Sequence, residues 1–192
     1  MTAIKAFVLA ADGDLAEAAE LYSSLEHVSF IDADTTVNYA RVLIELNRPR
    51  DALSQLRKVS HMYAGEPRYV SFLADLCLEL GHEDDCLKYV ALLRTRYPAE
   101  RKYAARHAIA LWRFGRSSEA CDVATDILDS GTFELPQNKD EFYVDGLANW
   151  ILGRLSRADY DFVRSGSSGR RPYWELLAKN TNIAFLHEQK EY

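Results

Sequence analysis

The stretch GDLAEAAELY at residues 13–22 has three echoes further along: GHEDDCLKYV at 81–90, GRSSEACDVA at 115–124 and GRLSRADYDF at 153–162. Each opens on Gly, crosses a polar bridge and places a small residue inside a helical pattern. The small residues Ala18, Ala52, Cys86 and Ala120 follow one another at a constant spacing of 34. Twelve positions before each of them stands an alanine: Ala6, Ala40, Ala74 and Ala108. Between the members of each pair comes Gly13, Asn47, Gly81 or Gly115. Gly and Asn are the residues that best tolerate the left-handed conformation that ends a helix. A second apolar stripe follows each turn, at Ala19–Tyr22, Leu53–Leu56, Leu87–Val90 and Cys121–Ala124.

The period describes a pair of antiparallel helices in each unit. Side chains twelve apart meet where the two helices cross, and small residues there let the backbones approach. A fifth unit follows if GTFELPQNKD (131–140) carries a four-residue insertion. Gly146 and Ala158 then take the small sites, Gly153 the turn and Phe162 the late apolar site. First helices are expected near 2–12, 34–46, 68–80, 100–114 and 139–152. Second helices are expected near 15–27, 49–62, 83–96, 117–130 and 155–164. One such pair cannot bury its apolar face alone, so units must stack.

The 34-residue spacing, the two small sites, the turn Gly, the late aromatics Tyr22 and Phe162, and Pro98 at a unit's close resemble the tetratricopeptide repeat. The resemblance covers about residues 2–165. It departs at the family's bulky early aromatic, which is Thr36, Val70 and Ala104 here and aromatic only at Phe142. The resemblance implies an all-α, right-handed solenoid of about five helix-turn-helix repeats spanning 1–164. SGSSG at 165–169 opens a flexible joint (165–171) by its composition. Pro172 suits the first turn of a last helix, 172–192, in which Trp174, Leu177, Phe185 and Leu186 form one apolar face. That helix is expected to cap the array, since open arrays need a terminal cap. The alternative is docking on a second copy or a further domain.

Composition narrows the function. The chain has 192 residues, 48% of them hydrophobic, and no apolar run long enough to span a bilayer. A formal charge of −6 argues against nucleic acid and anionic membrane surfaces as general partners. Three scattered cysteines and no signal-peptide pattern point to a reducing, cytoplasmic setting.

In the resembled family the first helices line a concave groove that takes peptides or protein surfaces. Helical spacing assigns that face to Asp34, Asn38, Arg41 and Glu45 in the second unit and to Arg68, Phe72, Asp75 and Glu79 in the third. The fourth unit contributes Lys102, Arg106, Ile109 and Arg113, with Trp112 beside them. The fifth contributes Tyr143, Leu147, Trp150 and Ile151. Such a face is mixed in charge early, basic in the fourth unit and aromatic at its end. It suits a protein or peptide with acidic and apolar groups. One subgroup of the family clamps a C-terminal carboxylate with Lys, Asn and Arg. Lys102 and Arg106 match its last basic pair, but Phe72, Val37 and Arg41 depart from the rest.

Catalytic and metal chemistry find little support. His82 and Cys86 stand four apart, but two ligands are too few for zinc, and Cys86 already occupies a small packing site. His107 falls on a packing face. No Gly-rich phosphate loop and no nucleophile elbow occur. SGSSGRR lacks the strand and helix that make a phosphate loop specific, so a linker is favoured. We therefore expect a non-enzymatic adaptor, scaffold or chaperone-like module without a cofactor. Two other classes stay open: a self-assembling protein that uses its C-terminal helix, and an accessory domain of a larger enzyme.

Overall fold

A computed structural model describes residues 2–25, 32–130 and 138–166. All regular structure among them is α-helical. The chain divides into two compact units, Met1–Arg96 and Tyr97–Tyr192. The first holds α1 (Thr2–Asp12), α2 (Leu15–Ser24), α3 (Ala33–Glu45), α4 (Pro49–Val59), α5 (Pro67–Glu79) and α6 (Glu83–Arg96). The second holds α7 (Arg101–Arg113), α8 (Ser117–Ser130), α9 (Lys139–Ile151) and α10 (Leu155–Arg164). Helix α4 stops three residues before its expected end. There the Ser60 hydroxyl donates to the Arg57 carbonyl at 2.9 Å and closes the last turn. Most of the inserted stretch (131–137), most of the expected joint and the whole expected capping helix (167–192) lie outside the described residues.

The elbows explain why each hairpin turns where it does. Gly13, Asn47, Gly81, Gly115 and Gly153 all have positive φ, from 59° at Asn47 to 94° at Gly13. The next residue's N–H reaches back to the carbonyl five positions earlier in every case. These bonds are Asp14 to Leu9, Arg48 to Leu43, His82 to Cys77, Arg116 to Leu111 and Arg154 to Asn149, at 2.8–2.9 Å. Together with the bond from the left-handed residue itself, this is the Schellman closure, which satisfies carbonyls that a helix end otherwise leaves bare. Two elbows add an ionic staple on the following turn: Arg48 with Asp51 at 2.7 Å and Arg116 with Glu119 at 2.6 Å. Asp32 accepts the Thr35 N–H at the start of α3, and Asn138 accepts the Glu141 N–H at the start of α9.

The crossing sites close as the period requires. Ala6, Ala18, Ala40, Ala52, Ala74, Ala108 and Ala120 are fully buried, and Cys86 and Ala158 are 1% exposed. At Gly146 a Cβ would meet the Phe162 ring at 2.9 Å, so this position has no room for a side chain unless that ring shifts. In the first unit α2 packs on α3, α4 on α5, α1 on α3 and α3 on α5. In the second, α9 packs on α7, α8 and α10. An Arg57–Asp85 ion pair ties α4 to α6, and the Tyr69 hydroxyl on α5 donates to the Leu56 carbonyl of α4.

The fifth hairpin departs in its chemistry. Its register puts Asn149 where the other units have Leu9, Leu43, Cys77 and Leu111, and Asp161 where they have Leu21, Gln55, Tyr89 and Val123. The two meet: Asn149 Nδ2 donates to Asp161 Oδ2 at 2.9 Å, with Asn149 4% and Asp161 0% exposed. Arg157 Nε stands 3.4 Å from the other Asp161 oxygen, an ion-pair distance rather than a formed hydrogen bond.

Candidate functional site

In the first unit the first-helix residues singled out by spacing lie on α3 and α5, and they make contacts across the pair. The Arg41 guanidinium sits 5.5 Å above the Phe72 ring, and Arg68 faces Asp34 at 3.8 Å. Arg41 and Arg68 are exposed, while Asn38, Phe72 and Asp75 are half-buried. A guanidinium held over an aromatic face keeps its donors free at the edges while its plane is fixed. Asp34 on α3 and Asp75 on α5 stand on the same two helices as Arg41 and Arg68, so the patch is mixed in charge.

In the second unit the corresponding residues lie on α7 and α9. Trp112 and Trp150 meet edge to face with centroids 4.6 Å apart. Trp112 is half-buried; Trp150 beneath it is 5% exposed and Ile109 is 2% exposed. Trp112 is thus the ring that solvent reaches, and Trp150 and Ile109 form its floor. Arg106 and Arg113 are half-buried and Lys102 is exposed. Lys102 pairs with Glu100 at 2.9 Å and lies 5.1 Å from the centre of the Tyr103 ring. Its hydrogen bond to Glu100 holds the ammonium pKa above the usual lysine range, so the charge persists. The residues therefore form two patches, each internally organised: Asn38, Arg41, Arg68, Phe72 and Asp75 in one unit, and Lys102, Arg106, Ile109, Trp112, Arg113 and Trp150 in the other.

Spacing alone did not single out Arg101 and Asp145. Arg101 bonds the Ile127 carbonyl of α8 at 2.8 Å and Asp145 of α9 at 2.5 Å, both side chains mostly buried. This one side chain ties together α7, α8 and α9, two of which carry the tryptophans. The available signal was a carboxylate at a register position held by Lys5, Tyr39, Leu73 and His107 in the other units.

The Cys77 and Cys86 thiols are packing groups. Burial pushes the Cys77 thiol up to about 11, which leaves it protonated at neutral pH. Cys86 fills the helix crossing four residues from an exposed His82.

With the elbows, crossings and both patches in place, the chain can be set beside known proteins. Residues 9–76 match the tetratricopeptide repeat family model. That stretch is made of tetratricopeptide repeats. The same elbow and crossing recur at Gly81, Gly115 and Gly153, beyond the matched residues. Among solved structures, MamA from AMB-1 superposes with a TM-score of 0.58 at 15% identity, over 88% of this chain and 97% of that one. MamA from MSR-1 gives 0.56 at 14%, over 89% and 96%. MamA 41-end from Desulfovibrio magneticus RS-1 gives 0.62 at 12%, over 88% and 93%. At such identities the likeness establishes the fold: an all-α helical repeat. No curated protein matches the chain in sequence. The repeat match supports a protein-interaction or scaffold module, and no described helix is long and apolar enough to cross a membrane.

Proposed function

We propose that the chain is a non-enzymatic adaptor or scaffold of the cytoplasm that binds protein or peptide segments on its first-helix faces. The observation that carries this is the Arg41–Phe72 stack between α3 and α5. There a cation lies over an aromatic ring between two first helices, with Asn38, Arg68 and Asp75 on the same two helices. Such a pair offers bidentate donors to a carboxylate next to apolar surface. The second unit repeats the theme with Trp112 on the floor of Trp150 and Ile109, together with Lys102, Arg106 and Arg113. An acidic segment with an apolar anchor suits both patches.

Affinity capture from native extract tests this reading with two double variants, Arg41→Glu/Phe72→Ala and Arg106→Glu/Trp112→Ala, each checked for helicity. A protein bound by the parent and lost with either variant supports the reading. An identical bound set with all three baits rejects it.

A specific observation favours a second reading, association between copies. Helix α1 leaves Ile4, Phe7 and Val8 exposed on one face. Val8 is 49% exposed, whereas its register equivalents Val42 and Leu76 are 3% and 5% exposed, each against the preceding hairpin. A second copy can cover α1 in the same way. Light scattering of the parent and of Phe7→Glu/Val8→Lys decides: concentration-dependent mass in the parent alone supports self-association, and two monomers remove it.

A further inference from the structure

Helix α1 reads TAIKAFVLAAD and is apolar everywhere except at Thr2, Lys5 and Asp12. A helix that is apolar all round is normally covered on all sides. One side of α1 is covered: Ala6, Leu9 and Ala10 pack into a core with Ala18 and Tyr22 of α2 and Val42 of α3. The other side is open. Ile4, Phe7 and Val8 are 70%, 55% and 49% exposed, and Ala11 is exposed with them. These residues stand at i, i+3, i+4 and i+7, so they form one stripe along the helix.

The next first helix has no such stripe. One period on, Ile4, Phe7 and Ala11 correspond to Asn38, Arg41 and Glu45 of α3, all polar. Val8 corresponds to Val42, a row that is buried against a neighbouring hairpin. The stripe on α1 thus joins an outward row made apolar to a row that packs on a neighbour. A contiguous exposed apolar patch of this kind marks an association surface.

The charges beside the stripe say what covers it. Lys5 and Asp12 are the charged residues of α1, three positions before Val8 and four after it, and both are exposed. Two copies of α1 laid antiparallel bring each Lys5 toward the other copy's Asp12. Laid parallel, they set Lys5 against Lys5 and Asp12 against Asp12. The antiparallel order also places the large Ile4 of one end opposite the small Ala11 of the other, with Phe7 and Val8 in the middle of both copies. The helix is complementary to itself, which is what a twofold interface requires of a single patch. Lys5 also stands 3.4 Å from Glu17 of its own chain, and an exposed pair of that kind exchanges partners at little cost.

We propose that α1 is a dimerisation helix, packed antiparallel on α1 of a second copy through Ile4, Phe7, Val8 and Ala11, with Lys5 facing Asp12 across the pair. This rests on the association between copies proposed for α1 and names the surface of the second copy that takes part. The seam is about 16 Å long, eleven residues at about 1.5 Å each. So short a contact belongs at the small end of specific interfaces, and the dimer is weak and reversible, in the micromolar range.

Sedimentation of the full chain over a concentration series, combined with cysteine cross-linking, tests the pairing. The expected mass rises from one copy toward two. Ile4→Cys and Ala11→Cys, mixed and oxidised, should give a disulfide-linked dimer that neither variant gives alone, because a disulfide needs Cα atoms within about 7 Å. The parent oxidised in the same way is the control, since Cys77 and Cys86 are buried. Lys5→Glu should weaken the dimer about twofold to tenfold, the effect of two exposed charge contacts. Lys5→Glu/Asp12→Lys should restore it, and this readout stands even if a cysteine variant does not fold. Linking of Ile4→Cys to itself, or to Val163→Cys on the exposed side of α10, overturns the antiparallel pairing. So does a dimer that is neither cross-linked in the mixture nor sensitive to the charge exchange. In each of these cases association between copies still stands. A parent that stays monomeric at every concentration removes both.

Discussion

At Gly146 the distance from a would-be Cβ to the Phe162 ring, 2.9 Å, is below any ordinary contact. Gly146→Ala should therefore destabilise the protein by about 1–3 kcal/mol, the usual cost of overpacking. Thermal denaturation measures it, and adding Phe162→Leu should recover part of the loss, because the two side chains compete for one space. Asp161 carries a pH dependence. Burial pushes its carboxyl above the ordinary value of 3.8, against the pull of Arg157 and the Asn149 hydrogen bond. An acid whose pKa is higher in the folded state contributes stability at low pH and loses it as pH rises through the shifted value. The neutral isostere has no such loss. Asp161→Asn should therefore gain melting temperature relative to the parent as pH rises from about 3 toward 7. A constant difference across that range would show that Asp161 does not titrate where burial puts it.

At the scale of the element, the elbow is the unit of design. Four elbows use Gly and one uses Asn47, at φ 59°. A left-handed residue with a Cβ costs about 1–2 kcal/mol unless it is Gly or a short polar residue. Asn47→Ala should thus lower stability by about 1 kcal/mol, while Asn47→Gly should be neutral or better. Urea denaturation of the pair separates backbone conformation from packing, because Asn47 is exposed and buries no side chain. Equal stability of the two variants would mean that the Schellman closure, not the residue in it, carries the turn.

At the scale of the whole molecule, two sets of stacked hairpins are held by different means. The first unit relies on apolar crossings and on the buried Tyr69, whose hydroxyl donates to the Leu56 carbonyl. The second adds the Arg101–Asp145 link and the Asn149–Asp161 pair, both mostly buried. Removing one partner from a buried charge pair leaves the other without compensation. Arg101→Ala should cost about 3 kcal/mol, the low end for buried pairs, since some solvent reaches both groups. Hydrogen exchange should show the loss in α7, α8 and α9, with α1 to α4 unchanged. A uniform loss through both units would mean that they open as one cooperative body.

The period, the small crossing residues and the elbows were all legible in the one-dimensional order. Each depends on contacts within a hairpin, where a spacing of twelve or thirty-four directly names the partner. That is why Ala6 with Ala18 and the elbow at Asn47 could be read before any coordinates. Exposure across hairpins was not legible. Helical spacing puts Ile109 and Trp150 on the same face as Arg106, yet the neighbouring helix decides that they are floor and Trp112 is surface. The Arg101 anchor likewise arises where α7, α8 and α9 meet. Sequence by itself determined the repeat and its turns, because those are local and periodic. Tertiary structure alone decided which repeat positions are packed, paired or left open, because burial belongs to the helices that come together and not to any one of them.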